Sequence, residues 1–382
     1  MKARFSTYIS LAIKLVPLFL SRGAVFIANI LSAYYLSESD FYALSSAYVV
    51  SAMVATPLIA INNYVANFFN TLSFKLITST LMWFGASSVV LISLLSFELD
   101  MVGCFFSLAF FAFVYISGVF NLRIISLDYS KILNKANFVG CFLFTFLVSY
   151  AVASKSEFYF YFLYLIFPLL SVITYIYINN RTGKEPQSKT VSKNFKSSDL
   201  TFLVLTVFMG APVHLAALNL LQLAADQIEV VLLNIAFQWF ILITLIPGMV
   251  SNVSVANLRD EHYVKVYKRS LLFLCVLTSV FILPMSYLSS MIYPRYSEQI
   301  APVIVVYVFC ALLSVVYQAK INIFFANGIY KKAFIMSAFY AALYISGAFF
   351  LASSAFEMGL VMFVSYLVSL LICRGFINNG NH

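Results

Sequence analysis

Along this chain apolar residues gather in blocks of about twenty, parted by short polar stretches. Blocks of that length span the roughly 30 Å hydrocarbon core of a bilayer as α-helices. Twelve recur, at about 9–35, 41–69, 76–97, 101–122, 136–154, 158–178, 201–221, 228–251, 270–292, 301–324, 334–353 and 358–377. Because lipid offers no hydrogen-bond partners to a bare backbone, such segments are expected to be helical throughout, and the pattern predicts an all-α integral membrane protein. The first block runs on past Arg22 to Tyr35, too far for the short apolar core of a cleaved leader, and reads as a retained span.

The connections carry the orientation. Lys and Arg collect on the cytoplasmic side of membrane proteins. If the chain starts inside, Lys2, Arg4, Lys75, Arg123, Lys131, Lys135, Arg181, Lys184, Lys189, Lys193, Lys196, Arg259, Lys265, Lys268, Arg269, Lys331, Lys332 and Arg374 are cytoplasmic; only Lys155 and Arg295 fall outside. Acids populate the opposite loops, which are short: SESD, ELD, SKSE, AADQIE, PRYSEQ and SSAFE. Both termini are therefore expected inside.

One polar stretch is longer. Residues 179–200, NNRTGKEPQSKTVSKNFKSSDL, are basic and nearly free of bulky apolar side chains, and read as a flexible cytoplasmic linker. They divide the chain into an N-terminal six-helix lobe, 1–178, and a C-terminal one, 201–382. A repeat supports the division: PLIAINNYVANF opens at Pro57 and PGMVSNVSVANL at Pro247. At a constant offset of 190, Pro57, Asn62, Val65, Ala66 and Asn67 meet Pro247, Asn252, Val255, Ala256 and Asn257. Six crossings per half give both halves the same orientation, so the repeats are expected to be parallel and to enclose a central cavity.

Composition agrees with a lipid environment: 63% of the 382 residues are apolar and 10% charged, with a mean hydropathy of +0.95. The net charge of +9 follows from loop topology and does not indicate nucleic-acid binding. Cys104, Cys141, Cys275, Cys310 and Cys373 lie in or at the ends of apolar blocks without paired or metal-like spacing, and read as small core residues.

Polar residues inside the blocks are the candidates for function. Arg22 lies near the middle of the first span, where a cation costs a few kcal/mol or more unless it faces protein, water or a counter-charge. No acid lies at that depth, so Arg22 is expected to face an aqueous cavity that receives an anion. Asn29, seven residues on, shares its helix face. Lys14 sits about 12 Å nearer the cytoplasm, and Lys320 within two turns of the cytoplasmic end of the tenth span; each either snorkels or lines the cavity. His214, two residues after Pro212 in the seventh span, is a candidate for proton coupling, against a core histidine satisfied by hydrogen bonding. Asn62 and Asn252, the repeated pair, either join helices or touch substrate.

Enzyme and cofactor signatures are missing. The sequence shows no intramembrane His/Asp cluster, no nucleophile beside a base, no metal-spaced histidines and no phosphate-cradling glycine loop. Rings of like charge or filter loops, which a channel would need, are also missing.

ANILSAYYLSESDFYALSSAYVV, LIPGMVSNVSVANLRD and FFANGIYKKAFIMSAFY resemble segments of Wzx-type polysaccharide flippases of the MOP (multidrug/oligosaccharidyl-lipid/polysaccharide) superfamily. The likeness covers the whole chain through its span count, central linker and duplicated halves. It implies a MATE-like fold of two parallel six-helix repeats in a bacterial inner membrane. It also implies translocation of an undecaprenyl-diphosphate-linked oligosaccharide for O-antigen or capsule biosynthesis, with membrane lipid, a polysaccharide polymerase and a chain-length regulator as partners. On that reading Arg22 offsets the diphosphate charge, with Asn29, Lys14, Lys320, Asn62 and Asn252 around the substrate and His214 coupling an ion. A MATE-like drug or cation antiporter is the nearest alternative, although its cationic cargo calls for buried acids. A membrane-embedded polymerase or acyltransferase is a more distant one, disfavoured by the short outer loops and the lack of paired His and Arg.

Overall fold

The computed structural model describes residues 20, 23–68, 74–126, 129–154, 156–182, 197–254, 258 and 261–378. Among them thirteen helices carry the fold: α1 (Gly23–Tyr35), α2 (Glu38–Phe68), α3 (Phe74–Leu95), α4 (Met101–Ser126), α5 (Ser130–Ser154), α6 (Glu157–Thr182), α7 (Ser197–Phe208), α8 (Ala211–Ala224), α9 (Gln227–Ser254), α10 (Glu261–Ile292), α11 (Ile300–Ala326), α12 (Tyr330–Leu351) and α13 (Ala355–Asn378). No strand occurs among the described residues. With α7 and α8 taken as one interrupted span, the helices occupy the twelve blocks predicted from hydropathy. Ten of the spans are long and apolar enough to cross a membrane, and the described part of α1 is a shorter apolar helix.

Two elements depart from expectation. The seventh block was expected as one helix over 201–221; it is α7 followed by α8. Pro212 has no N–H to continue the α7 ladder, and Gly210 takes φ −101° and ψ −104°, outside the helical region. The α7 helix closes instead through short bonds, from Met209 N–H to the Leu205 and Thr206 carbonyls and from Gly210 N–H to the Val207 carbonyl. The ninth block was expected over 270–292, yet α10 starts at Glu261. Nothing between Glu261 and Ser270 breaks a helix, and Lys265, Lys268 and Arg269 stay exposed on the extra turns. Helices also enter the polar stretch from both sides: Arg181 in the last turn of α6 lies over the Tyr177 ring, and Asp199 sits in the first turn of α7, where its charge favours the helix N-terminus.

The chain divides into two compact units, residues 1–194 and 195–382. Within the first, α2 packs on α4, α4 on α6, α5 on α6, and α3 on both α2 and α4. Within the second, α9 packs on α11, α11 on α13, α12 on α13, and α10 on both α9 and α11. Each pairing in the first unit thus recurs between the corresponding helices of the second, which is the packing signature of a duplicated six-span unit.

Close approaches and polar joints fix these pairings, since lipid provides little hydrophobic drive between helices. A Cβ on Gly359 of α13 would sit 2.7 Å from Val306 Cγ1 and 2.9 Å from Tyr307 Cε2, both on α11. In the first unit, buried Asn62 of α2 donates through Nδ2 to Thr78 Oγ1 of α3 and to Tyr115 Oη of α4, each at 2.9 Å. Tyr115 Oη donates onward to the Thr78 carbonyl at 3.2 Å. One carboxamide ties three helices. At the end of α11 a Schellman turn stops the helix, with Gly328 N–H on the Phe325 carbonyl and Ile329 N–H on the Phe324 carbonyl. Gly328 has φ +74° there, in the left-handed region that L side chains enter only at a cost.

Two stability predictions follow from these contacts. Gly328→Ala should destabilise the detergent-solubilised protein by about 1 kcal/mol, read as a lowered midpoint in thermal unfolding; an unchanged midpoint would contradict the strain argument. Asn62→Leu should cost about 1–3 kcal/mol. Tyr115→Phe should then cost less in the Asn62→Leu background than in the native one, with a coupling of about 1 kcal/mol in a denaturant cycle. Additive costs would show that the three-helix joint does not act as a unit.

Candidate functional site

Polar side chains expected to carry function fall into both units, and each unit is described by itself. Lys14 and Arg22 lie outside the described residues, as does the side chain of Asn252. The remaining candidates are Asn29, Asn62, His214 and Lys320.

Asn29 is on α1 and is 1% exposed; its Oδ1 is buried without a hydrogen-bond partner. One turn on, Ser32 Oγ donates to the Ala28 carbonyl at 2.7 Å. The hydroxyl of Tyr164 on α6 is turned toward Ser32 and Asn29, and it too is buried without a fully formed hydrogen bond. Behind it stands an aromatic layer: Tyr48 of α2 lies 4.9 Å from Tyr164 between centroids, and Phe110 of α4 lies 5.6 Å away. Tyr161 stacks on Phe106 at 3.8 Å. Asn62 does not join this group through any bond described above; its amide is engaged in the helix joint, and its Oδ1 is buried without a partner.

The second unit has its own layer. His214 lies in the first turn of α8, placed there by the Gly210 break; its N–H bonds the Gly210 carbonyl at 3.3 Å. Its Nδ1 sits 2.9 Å from Tyr344 Oη of α12, and its ring stacks on Phe237 of α9 at 3.9 Å. From Tyr344 the aromatic contacts continue to Tyr340 at 5.8 Å, then to Tyr366 of α13 at 4.4 Å and Tyr317 of α11 at 5.5 Å. Tyr317 Oη donates to Ser337 Oγ at 3.0 Å. Tyrosines from three helices thus connect His214 with the segment that carries Lys320. The Lys320 Nζ donates to the Leu370 carbonyl of α13 at 3.3 Å, while its neighbour Gln318 donates to Asn322 Oδ1, also at 3.3 Å. Asn322 in turn donates to Tyr267 Oη of α10 at 3.4 Å.

Sequence reasoning singled out His214 and Lys320 but missed Tyr340, Tyr344 and Tyr366. The available signal was the i, i+4 pair Tyr340 and Tyr344. It was hidden by a composition of 25 tyrosines and 40 phenylalanines, most of which serve equally well against lipid. Chemically, the two interiors offer carboxamides, hydroxyls and aromatic rings. Among the described residues no Asp or Glu is buried. Glu229, at the start of α9, accepts the Ala355 N–H at the start of α13 at 2.6 Å, outside these layers.

No protein-family model matches the chain. It is 32% identical over 180 residues to a Ralstonia nicotianae protein described as EPS I polysaccharide export inner membrane protein EpsE, the match covering 43% of this chain and 41% of that one. The Ralstonia solanacearum protein of the same description is 29% identical over 204 residues, covering 49% and 44%. The chain therefore matches less than half the length of these curated relatives. Among solved structures, the lipid II flippase MurJ in an inward closed conformation superposes with TM-score 0.59 at 14% identity, covering 96% of this chain and 87% of that one. An inward-facing multidrug resistance MATE family transporter of the MOP superfamily superposes with TM-score 0.58 at 10% identity, covering 97% and 98%. Across nearly its whole length the chain has the two-lobed, pseudo-repeated helical membrane fold shared by MATE and MurJ transporters.

Proposed function

We propose that this protein is a Wzx-type flippase that moves an undecaprenyl-diphosphate-linked oligosaccharide across a bacterial inner membrane, for O-antigen or capsule assembly. The observation that carries the reading is the character of the buried polar groups. Among the described residues they are carboxamides, hydroxyls and one imidazole, with no buried carboxylate. A neutral, hydrogen-bonding interior suits a sugar head group, whereas a cationic drug or metal cation calls for buried acids. The fold by itself serves both kinds of cargo, and the likeness to polysaccharide-export proteins supports the same choice.

In this mechanism protein shields the oligosaccharide and diphosphate during the crossing while the prenyl tail stays in lipid. Arg22 offers a permanently charged, forked guanidinium to the diphosphate, and Lys14 adds a second cation nearer the cytoplasm. Lys320, held to the Leu370 carbonyl in the second unit, supplies a third. Asn29, Asn62 and Asn252 furnish hydrogen bonds to sugar hydroxyls or between helices. His214, bonded to Tyr344, couples a proton to movement of α8 in this reading. Alternating access carries the head group from one side of the membrane to the other. The linker and both termini lie in the cytoplasm, and a polysaccharide polymerase and chain-length regulator receive the product.

The charge of Arg22 tests the reading. In cells lacking their own flippase, Arg22→Ala should reduce surface glycan by about 10- to 100-fold, the value of one charge-assisted pair, at normal protein level and insertion. Arg22→Lys should keep part of the activity because the charge survives without the fork. Full complementation by Arg22→Gln at native expression would refute a diphosphate site at this residue.

A further inference from the structure

The 190-residue offset that pairs Pro57 with Pro247 and Asn62 with Asn252 reaches further than the segment in which it is most evident. Carried back into the first span of each half, it sets Asn29 against Asn219 and Ser32 against Gln222. Asn29 and Ser32 lie on α1, and Asn219 and Gln222 on α8. Each pair is three residues apart and so shares one helix face.

The structure gives these positions a common and costly property. Asn29 Oδ1, Asn219 Oδ1 and Gln222 Oε1 are all buried without a hydrogen-bond partner. Leaving a buried acceptor unpaired is costly, and a surrounding bilayer supplies no donor. Three such acceptors fall at equivalent positions of two helices that the duplication relates. The unpaired atoms are oxygens, which also fixes the kind of group that satisfies them. A diphosphate is acceptor-only and cannot donate to them. A hydroxyl donates to a carboxamide oxygen and accepts from the same carboxamide's N–H, so the matching ligand is the hydroxyl-bearing part of a substrate.

We infer that Asn219 and Gln222 of α8 form a sugar-binding subsite, the internal duplicate of one formed by Asn29 and Ser32 of α1. The inference rests on the flippase reading and adds to it a place in the second repeat where the glycan is held. Asn29 is 1% exposed here, so its subsite opens when α1 moves against its neighbours. The break at Gly210 lets α8 shift without carrying α7 with it.

The experiment uses the full-length protein in lipid nanodiscs and measures affinities for farnesyl diphosphate and for its N-acetylglucosaminyl, galactosyl and glucosyl derivatives. The readout is the ratio of glycosylated to sugar-free affinity. The native protein should favour at least one glycosylated probe, and Asn219→Leu, Gln222→Leu and Asn29→Leu should each lower that ratio, by about tenfold where a carboxamide accepts a hydroxyl. Asn219→Ser, which keeps an acceptor, should retain part of it and serves if a Leu variant does not fold. A native ratio of one for every sugar would overturn the subsites while leaving the flippase reading standing. So would ratios unchanged in the Leu variants, a result pointing to buried water as the missing partner. Failure of the native protein to bind any of the probes, sugar-free included, would overturn the flippase reading and this inference together.

Discussion

A bilayer cannot hydrogen-bond to protein, and most of this structure follows from that constraint. It forces the backbone into helices, since an unpaired N–H or C=O in hydrocarbon costs several kcal/mol. It also makes each buried polar side chain accountable. Ser and Thr hydroxyls discharge the obligation on backbone carbonyls, as Ser51 does on that of Ala47 in its own helix and that of Ser107 in α4, each at 2.6 Å. Asn62 discharges the donor half of its obligation across three helices. The polar atoms left over, such as Asn29 Oδ1 and Tyr307 Oη, stand out against that background.

Duplication explains why the structure repeats its packing while its chemistry diverges. Helix pairs need only matched small residues and apolar faces to recur, so α2 on α4 is echoed by α9 on α11. Polar positions are freer to differ. The offset that aligns Asn29 with Asn219 places His214 opposite Ala24, so the histidine belongs to one repeat alone. Its partner Tyr344 and the tyrosines beyond it form a layer that the first unit matches only loosely, with Tyr48, Tyr161 and Tyr164 around Phe110. The chemical asymmetry between the two units lies in that difference.

Much of the fold could be read from the chain because the membrane sets a single length scale and the loops set the charge pattern. The span positions and the all-helical class came from those two signals, and the duplicated order from the repeat that sets Pro57 against Pro247. Less legible was the interruption between α7 and α8, although Gly210 and Pro212 were both visible. A proline inside an apolar run can kink a helix without ending it, as Pro57 in α2 and Pro168 in α6 show, and the Gly210 conformation separates the cases. The start of α10 was also missed, because hydropathy locates the lipid boundary and a helix with exposed lysines extends past it unseen. At the candidate sites, intramembrane Asn29, Asn62 and His214 were conspicuous by type. Their partners Tyr164, Tyr115 and Tyr344 were not, since tyrosine is as much at home against lipid headgroups as in a core.

On the proposed function, neutral and charged recognition have to be separated. A carboxylate placed near the glycan would pair with sugar hydroxyls well, yet it would repel the diphosphate travelling with them and would neutralise a nearby arginine. Carboxamides and phenols avoid both penalties while still offering donors and acceptors in one group. The interior among the described residues keeps to that rule: Asn, Gln, Tyr and Ser hold the buried positions, and acids such as Glu229 and Glu357 stay at helix starts, where they accept backbone N–H groups. The same placement stabilises those helix ends through the macrodipole. Acid is thus used where it supports the scaffold, and among the described residues no carboxylate is buried.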